Sequence, residues 1–247
     1  MFSNKPSQSM SDPVPVIEAQ GIGKLYNRRW ALRNVNIKVF AGERVLLWGP
    51  NGSGKTSLLR ILATLSRASR GELKLFGLEA IKYKRDLRNR IGYLGHNLTL
   101  YDDLTARENL NLYSKLYSVK NPENLYMPLI YTFGLVSFLD SRVRNYSRGM
   151  QQKLAIVKAL IHQPEILLLD EPSTGLDAES THKLEEVLAQ YDGTIVFSSH
   201  DIEFGLSVGN RVLVLSNGSI IADKSVQEID SIDLQHATQR HKLTIQP

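Results

Sequence analysis

Gly49-Pro50-Asn51-Gly52-Ser53-Gly54-Lys55-Thr56 lies between two regular patterns. Before it stands the apolar run Val45–Trp48, strand-sized. After it Leu58, Leu59, Leu62 and Leu65 recur at helical spacing, so the stretch predicts a strand, a tight loop and a helix from Lys55 to Leu65. Glycines let successive backbone N–H groups converge on one point, and a helix N-terminus adds a dipole that favours an anion. G-x-x-x-x-G-K-[ST] in this strand-to-helix context is a phosphate-binding loop. In it Lys55 reaches the β- and γ-phosphates as a point charge, and the Thr56 hydroxyl is a hard ligand for Mg²⁺. The alternative, a chance glycine-rich turn, is disfavoured because both flanking elements are present.

A second stretch fits the first. Ile166-Leu-Leu-Leu-Asp170-Glu171 is an apolar strand with two carboxylates at its carboxyl end, where ligand crevices of open α/β sheets lie. Strand side chains alternate, so the two need not share a task. Asp170 is placed to hold Mg²⁺ through water, and Glu171 to orient or deprotonate an attacking water. Alone, such a strand end is often just a solvated edge; the phosphate loop gives it its meaning.

Outward from these motifs, short strands are expected at Ile17–Ala19, Val35–Val39, Leu73–Phe76, Ile91–Leu94, Thr194–Ser198 and Arg211–Leu215. Asn217-Gly218 reads as a hairpin turn onto Ser219–Ala222. Between about residues 96 and 163 the texture is helical. Thr105-Ala-Arg-Glu108 forms a capping box, and Ser147 caps a helix running to about Ile161, stopped by Pro164. Strand–helix alternation around a helical insert predicts an α/β fold with a mainly parallel core sheet and an α-helical subdomain. Residues 14–225 are expected to form one domain, with 1–13 a flexible lead and 226–247 a polar tail.

Composition narrows the chemistry. The 247 residues include no cysteine, which excludes disulfide scaffolds, thiolate metal sites and a cysteine nucleophile. No stretch approaches the roughly 18–20 apolar residues of a membrane span, and the first residues lack the apolar core of a secretory signal. A net charge of +5 suits an anionic partner.

In order and spacing, these motifs resemble the ATP-binding cassette of ABC transporters over roughly residues 15–225. The resemblance implies a P-loop NTPase (RecA-like) core with an antiparallel β subdomain and an α-helical subdomain. It implies ATP and Mg²⁺ as ligands, held at Gly49, Pro50, Asn51, Gly52, Ser53, Gly54, Lys55, Thr56 and Ser57. Tyr26 sits where the family stacks an aromatic on adenine. Tyr146-Ser147-Arg148-Gly149-Met150 is placed like the signature motif, Thr174-Gly-Leu-Asp177 like the D-loop, and His200 like the switch histidine that touches the γ-phosphate. On their own residues, Tyr26 reads as well as a turn aromatic, Ser147 as a plain helix cap and His200 as a core histidine.

Further implied are a head-to-tail pairing of two cassettes, expected to be a homodimer, and a separate transmembrane permease. The place of work is then the cytoplasmic side of the cell membrane, peripherally. Two departures from the family pattern stand out. Arg148 replaces a glycine of the signature and either adds charge near the partner's phosphates or points to solvent. His96 stands after Gly95 where most cassettes place a glutamine that touches Mg²⁺ and the attacking water. Imidazole is a poorer ligand for a hard cation and gains a proton in mildly acid solution, so His96 is expected to act through water and make the ATPase pH-dependent.

The Gly95-His96 pair, Leu100-Tyr-Asp-Asp-Leu-Thr-Ala-Arg-Glu-Asn109 and Tyr-Ser-Arg-Gly-Met together are similar to one branch, the haem-exporter ATPases of cytochrome c maturation. Exporter ATPases for drugs, lipids or polysaccharides share much of this sequence. The basic run Lys82, Lys84, Arg85, Arg88, Arg90 lacks interleaved aromatics beyond Tyr83. It reads as a solvated helix face rather than a nucleic-acid platform, so no nucleic-acid partner is expected. Soluble ABC proteins of translation carry two cassettes, and chromosome-associated ones a long coiled coil. Neither pattern occurs here.

Overall fold

The computed structural model describes residues 14–228. The expected N-terminal lead and most of the C-terminal tail lie outside them, although Val226–Glu228 forms a short 3₁₀ turn. Strands β1 (Ile17–Tyr26), β2 (Arg29–Val39), β4 (Arg70–Leu75) and β5 (Leu78–Glu79) form an antiparallel sheet in the order β2-β1-β4-β5. A second sheet runs β10-β9-β3-β8-β7-β6, from β3 (Arg44–Trp48), β6 (Ile91–Leu94), β7 (Ile166–Asp170), β8 (Thr194–Ser198), β9 (Arg211–Ser216) and β10 (Ser219–Ser225). Its members are parallel except β10, which turns back on β9 through Asn217-Gly218. This is the expected α/β class.

Helices α1 (Lys55–Leu62) and α2 (Lys84–Arg88) precede β6. Three more, α3 (Ala106–Leu116), α4 (Pro122–Thr132) and α5 (Arg148–Leu160), lie between β6 and β7. The last two, α6 (Ala178–Ala189) and α7 (Ile202–Val208), alternate with the final strands. Side chains alternate across the six-stranded sheet and feed two cores. Val45, Leu47, Leu168 and Val196 pack with α1 and the antiparallel sheet. Leu46, Leu167, Leu169 and Phe197 pack with α5, α6 and α7.

Strands β1 and β2 are longer than their apolar cores suggest. Register shifts between Ala19 and Ile22, and again between Ile22 and Lys24, break the alternation that marks a strand in sequence. Helix α1 is shorter than expected: Thr64 turns left-handed at φ 57° and leaves Leu65 largely exposed. The basic run forms only one turn of helix. Arg90 pairs with Glu165 and lies over the Phe76 ring, and Arg88 donates to Thr64 Oγ1 at 3.2 Å, so the run is not uniformly solvated.

Candidate active site

Buried β3 ends at Trp48, and the phosphate loop turns at once into α1. Gly49 has φ 152°, and a Cβ there would stand 2.2 Å from the Leu215 carbonyl of β9. Gly54 has φ 111°, with the Ala31 carbonyl of β2 only 2.6 Å from a Cβ. A side chain at either place would push the loop off the sheets that shape it. Lys55 is 7% exposed, and its Nζ donates to the Gly49 carbonyl at 2.7 Å and the Pro50 carbonyl at 3.2 Å. Burial lowers its pKa, opposed by the charges of Glu171 and Asp170.

Across the cleft, β7 carries Asp170 to its end and β8 carries Ser198 beside it. The Glu171 amide donates to Ser198 Oγ at 3.0 Å, and that hydroxyl donates to Asp170 Oδ1 at 2.8 Å. Glu171 itself has φ 54°, unusual for a non-glycine residue. The His200 amide donates to Glu171 Oε2 at 3.0 Å, and His200 Nε2 stands 3.2 Å from Oε1. Burial raises the Glu171 pKa, against the lowering effects of His200 and Lys55.

These groups converge on a cleft of about 480 Å³, lined by Asn51 through Ser57, His96, Asp170, Glu171 and His200, together with Ala31 and Thr174. Sequence reading alone did not single out Ala31 or Ser198 as site residues, and named Thr174 only as the start of the D-loop. The only mark Ser198 bears in the sequence is that of a polar residue ending an apolar run. Gln152 was also missed; buried in α5, it holds the chain after Glu171 by donating to the Pro172 carbonyl at 2.9 Å.

Seven expected residues lie outside this lining; two of them, Gly49 and Pro50, begin the phosphate loop itself. Tyr26 is exposed at the end of β1, with Lys24 over its ring at 4.9 Å. Ser147 caps α5 by accepting from the Met150 amide at 3.3 Å. Arg148 donates to the His96 carbonyl at 3.3 Å rather than pointing away from the protein. Gly149 packs on the D-loop, its Cβ position 2.8 Å from the Gly175 carbonyl. Asp177 caps α6, accepting from the Ser180 amide at 2.7 Å, which lowers its pKa.

The cleft suits a magnesium–nucleotide pair. Asp170 Oδ2, Glu171 Oε1 and Ser53 Oγ are buried without hydrogen-bond partners, an unusual cost to leave standing in one place. Two anionic acceptors and a hydroxyl are hard oxygen donors of the kind Mg²⁺ and its waters take, and Thr56 adds another at the head of α1. Lys55 has only neutral carbonyl partners and is free to exchange them for phosphate oxygens.

Fold and site together define a phosphate-loop nucleotide hydrolase. Residues 32–174 match the family model described as ABC transporter, and the chain belongs to that family as an ATP-hydrolysing ATP-binding subunit. It is 38% identical over 197 residues to the ABC transporter ATP-binding protein NatA of Bacillus subtilis, covering 77% of this chain and 80% of NatA. It is 31% identical over 226 residues to the daunorubicin/doxorubicin resistance ATP-binding protein DrrA of Streptomyces peucetius, covering 90% of this chain and 68% of DrrA. A solved dimer of the ATP-binding cassette MJ0796, in a post-hydrolysis state bound to ADP and Pi, superposes with a TM-score of 0.77. That match has 25% identity and covers 86% of this chain and all of the other. No described helix is long and apolar enough to cross a membrane.

Proposed function

We propose that this chain energises a separate membrane permease from the cytoplasmic face and works as a head-to-tail pair of identical chains. The observation that carries the pairing is the split between the cleft and the signature. Ser147, Arg148, Gly149 and Asp177 stand outside their own chain's cleft, as they would if they completed a partner's. In that arrangement Lys55 and the loop amides hold the phosphates, and Thr56 and Asp170 hold Mg²⁺, with His96 reaching it through water. The ion, when bound, neutralises charge on the phosphate oxygens. Glu171 takes the proton of the attacking water, and His200 holds the Glu171 carboxylate and faces the γ-phosphate. Tyr26 stacks on the adenine once it swings free of Lys24.

For cargo, the resemblance around Gly95-His96 supports haem export for c-type cytochrome assembly. The drug-resistance name carried by DrrA favours a second reading, export of a drug. In the source cell, replacing the gene with a Lys55→Ala version is expected to abolish covalent haem staining of membrane cytochromes, with rescue by the wild-type gene. Normal staining with new drug sensitivity supports the second reading.

A further inference from the structure

The loop that carries His96 into the cleft is gripped from one helix. At its start the Arg148 guanidinium of α5 donates to the His96 carbonyl at 3.3 Å. At its end Lys158, also of α5, places Nζ 2.5 Å from both the Leu98 carbonyl and Thr99 Oγ1. Thr99 has φ 50°, a costly backbone for a β-branched residue, which persists only when its surroundings over-determine it. Lys158 supplies part of that constraint, and the Tyr113 hydroxyl of α3, which donates to the Thr99 carbonyl, supplies more.

Lys158 is 6% exposed, and among the described residues no carboxylate pairs with it. The groups facing it are the Tyr113 ring 4.9 Å away on α3 and the two loop oxygens. Arg88, Arg85 and Lys84 of α2 and His162 after α5 share the walls of the adjoining groove of about 700 Å³. Burial lowers its pKa to about 8. A cation buried without a counter-charge is expensive, and a methionine of similar length would fill the space without that cost. Space-filling alone therefore does not account for it.

We propose that Lys158 is a positioning residue for ATP hydrolysis: with Arg148 it clamps the 96–99 loop to α5 and so holds the His96 imidazole in the cleft. The inference rests on His96 facing bound nucleotide, as read above. The test is steady-state ATPase of the full chain carrying His96→Ala, Lys158→Met, Lys158→Arg or His96→Ala with Lys158→Met. Thermal unfolding of each variant sets the folded fraction.

Lys158→Met is expected to lower kcat about tenfold with KM for ATP within about twofold, because the phosphate loop is untouched. Lys158→Arg is expected to recover most of the loss, and the double variant to be no slower than His96→Ala alone. Wild-type kcat in Lys158→Met, or losses that multiply in the double variant, would overturn the clamp while leaving the His96 reading intact. Unchanged kcat in His96→Ala would overturn both. Should Lys158→Met fail to fold, Thr99→Val removes the hydroxyl acceptor at the same φ. It is then expected to show a smaller loss confined to kcat, and wild-type kcat there would refute the clamp.

Discussion

Glu171 combines a left-handed backbone, a buried carboxylate and one oxygen without a hydrogen bond, all at the last turn of the chain out of β7. Strain and unsatisfied polarity at one residue mark a group held for chemistry rather than for stability. Replacing it with glutamine keeps the shape and removes the charge. Turnover is expected to fall by a factor of about 10²–10⁴ while ATP binding persists, read by single-turnover hydrolysis and equilibrium nucleotide binding. Stability should move the other way in metal- and nucleotide-free protein. Burial raises the folded pKa above its ordinary 4.5, so the protonated carboxyl is favoured on folding and the penalty grows as pH rises above that value. Glu171→Gln is thus expected to have a higher Tm than wild type at pH 7.5 and to lose that advantage near pH 4. That Lys55, Thr56, Asp170 and Glu171 meet in one cleft was legible because each sits in a motif whose spacing has a chemical reason. Ser198 was not, since its part depends on β8 lying beside β7, a pairing between residues far apart in sequence.

Among the elements, α3 shows how local chemistry fixes a boundary. The Glu108 amide donates to Thr105 Oγ1 at 3.1 Å, and the Thr105 amide donates back to Glu108 Oε2 at 2.8 Å. Thr105→Ala is expected to cost about 1 kcal/mol, lowering Tm by about 2–4 °C in calorimetry, with KM for ATP unchanged. This cap and the one at Ser147 could be read in advance because they use side chains near in sequence. The end of α1 could not. No glycine or proline marks it; the helix stops where Thr64 turns left-handed and Arg88 donates to its hydroxyl from α2. The same holds for β1, where tertiary pairing carries the strand through bulges that hide its alternation.

For the molecule as a whole, the decisive geometry is that Ser147, Arg148, Gly149 and Asp177 stand outside the cleft, so in the proposed pair they are left for the partner's. Specific ATPase activity of the isolated protein is therefore expected to rise with protein concentration at saturating ATP and then level off, as a pairing equilibrium fills. Activity independent of dilution well below micromolar would count against a shared site. The class of fold was legible from strand–helix alternation around the two motifs. The link from Arg148 to His96 was not, because it joins two departures from the family pattern across 52 residues. The alternation of the sheet has one more consequence. The helix behind the phosphate loop rests on one core and the signature helix on the other, so a lesion confined to the loop or to the signature leaves the other half of the proposed shared site on its own core. In the proposed pair, inherited lesions of the two kinds would complement each other, each defective chain lending its sound half to one working centre.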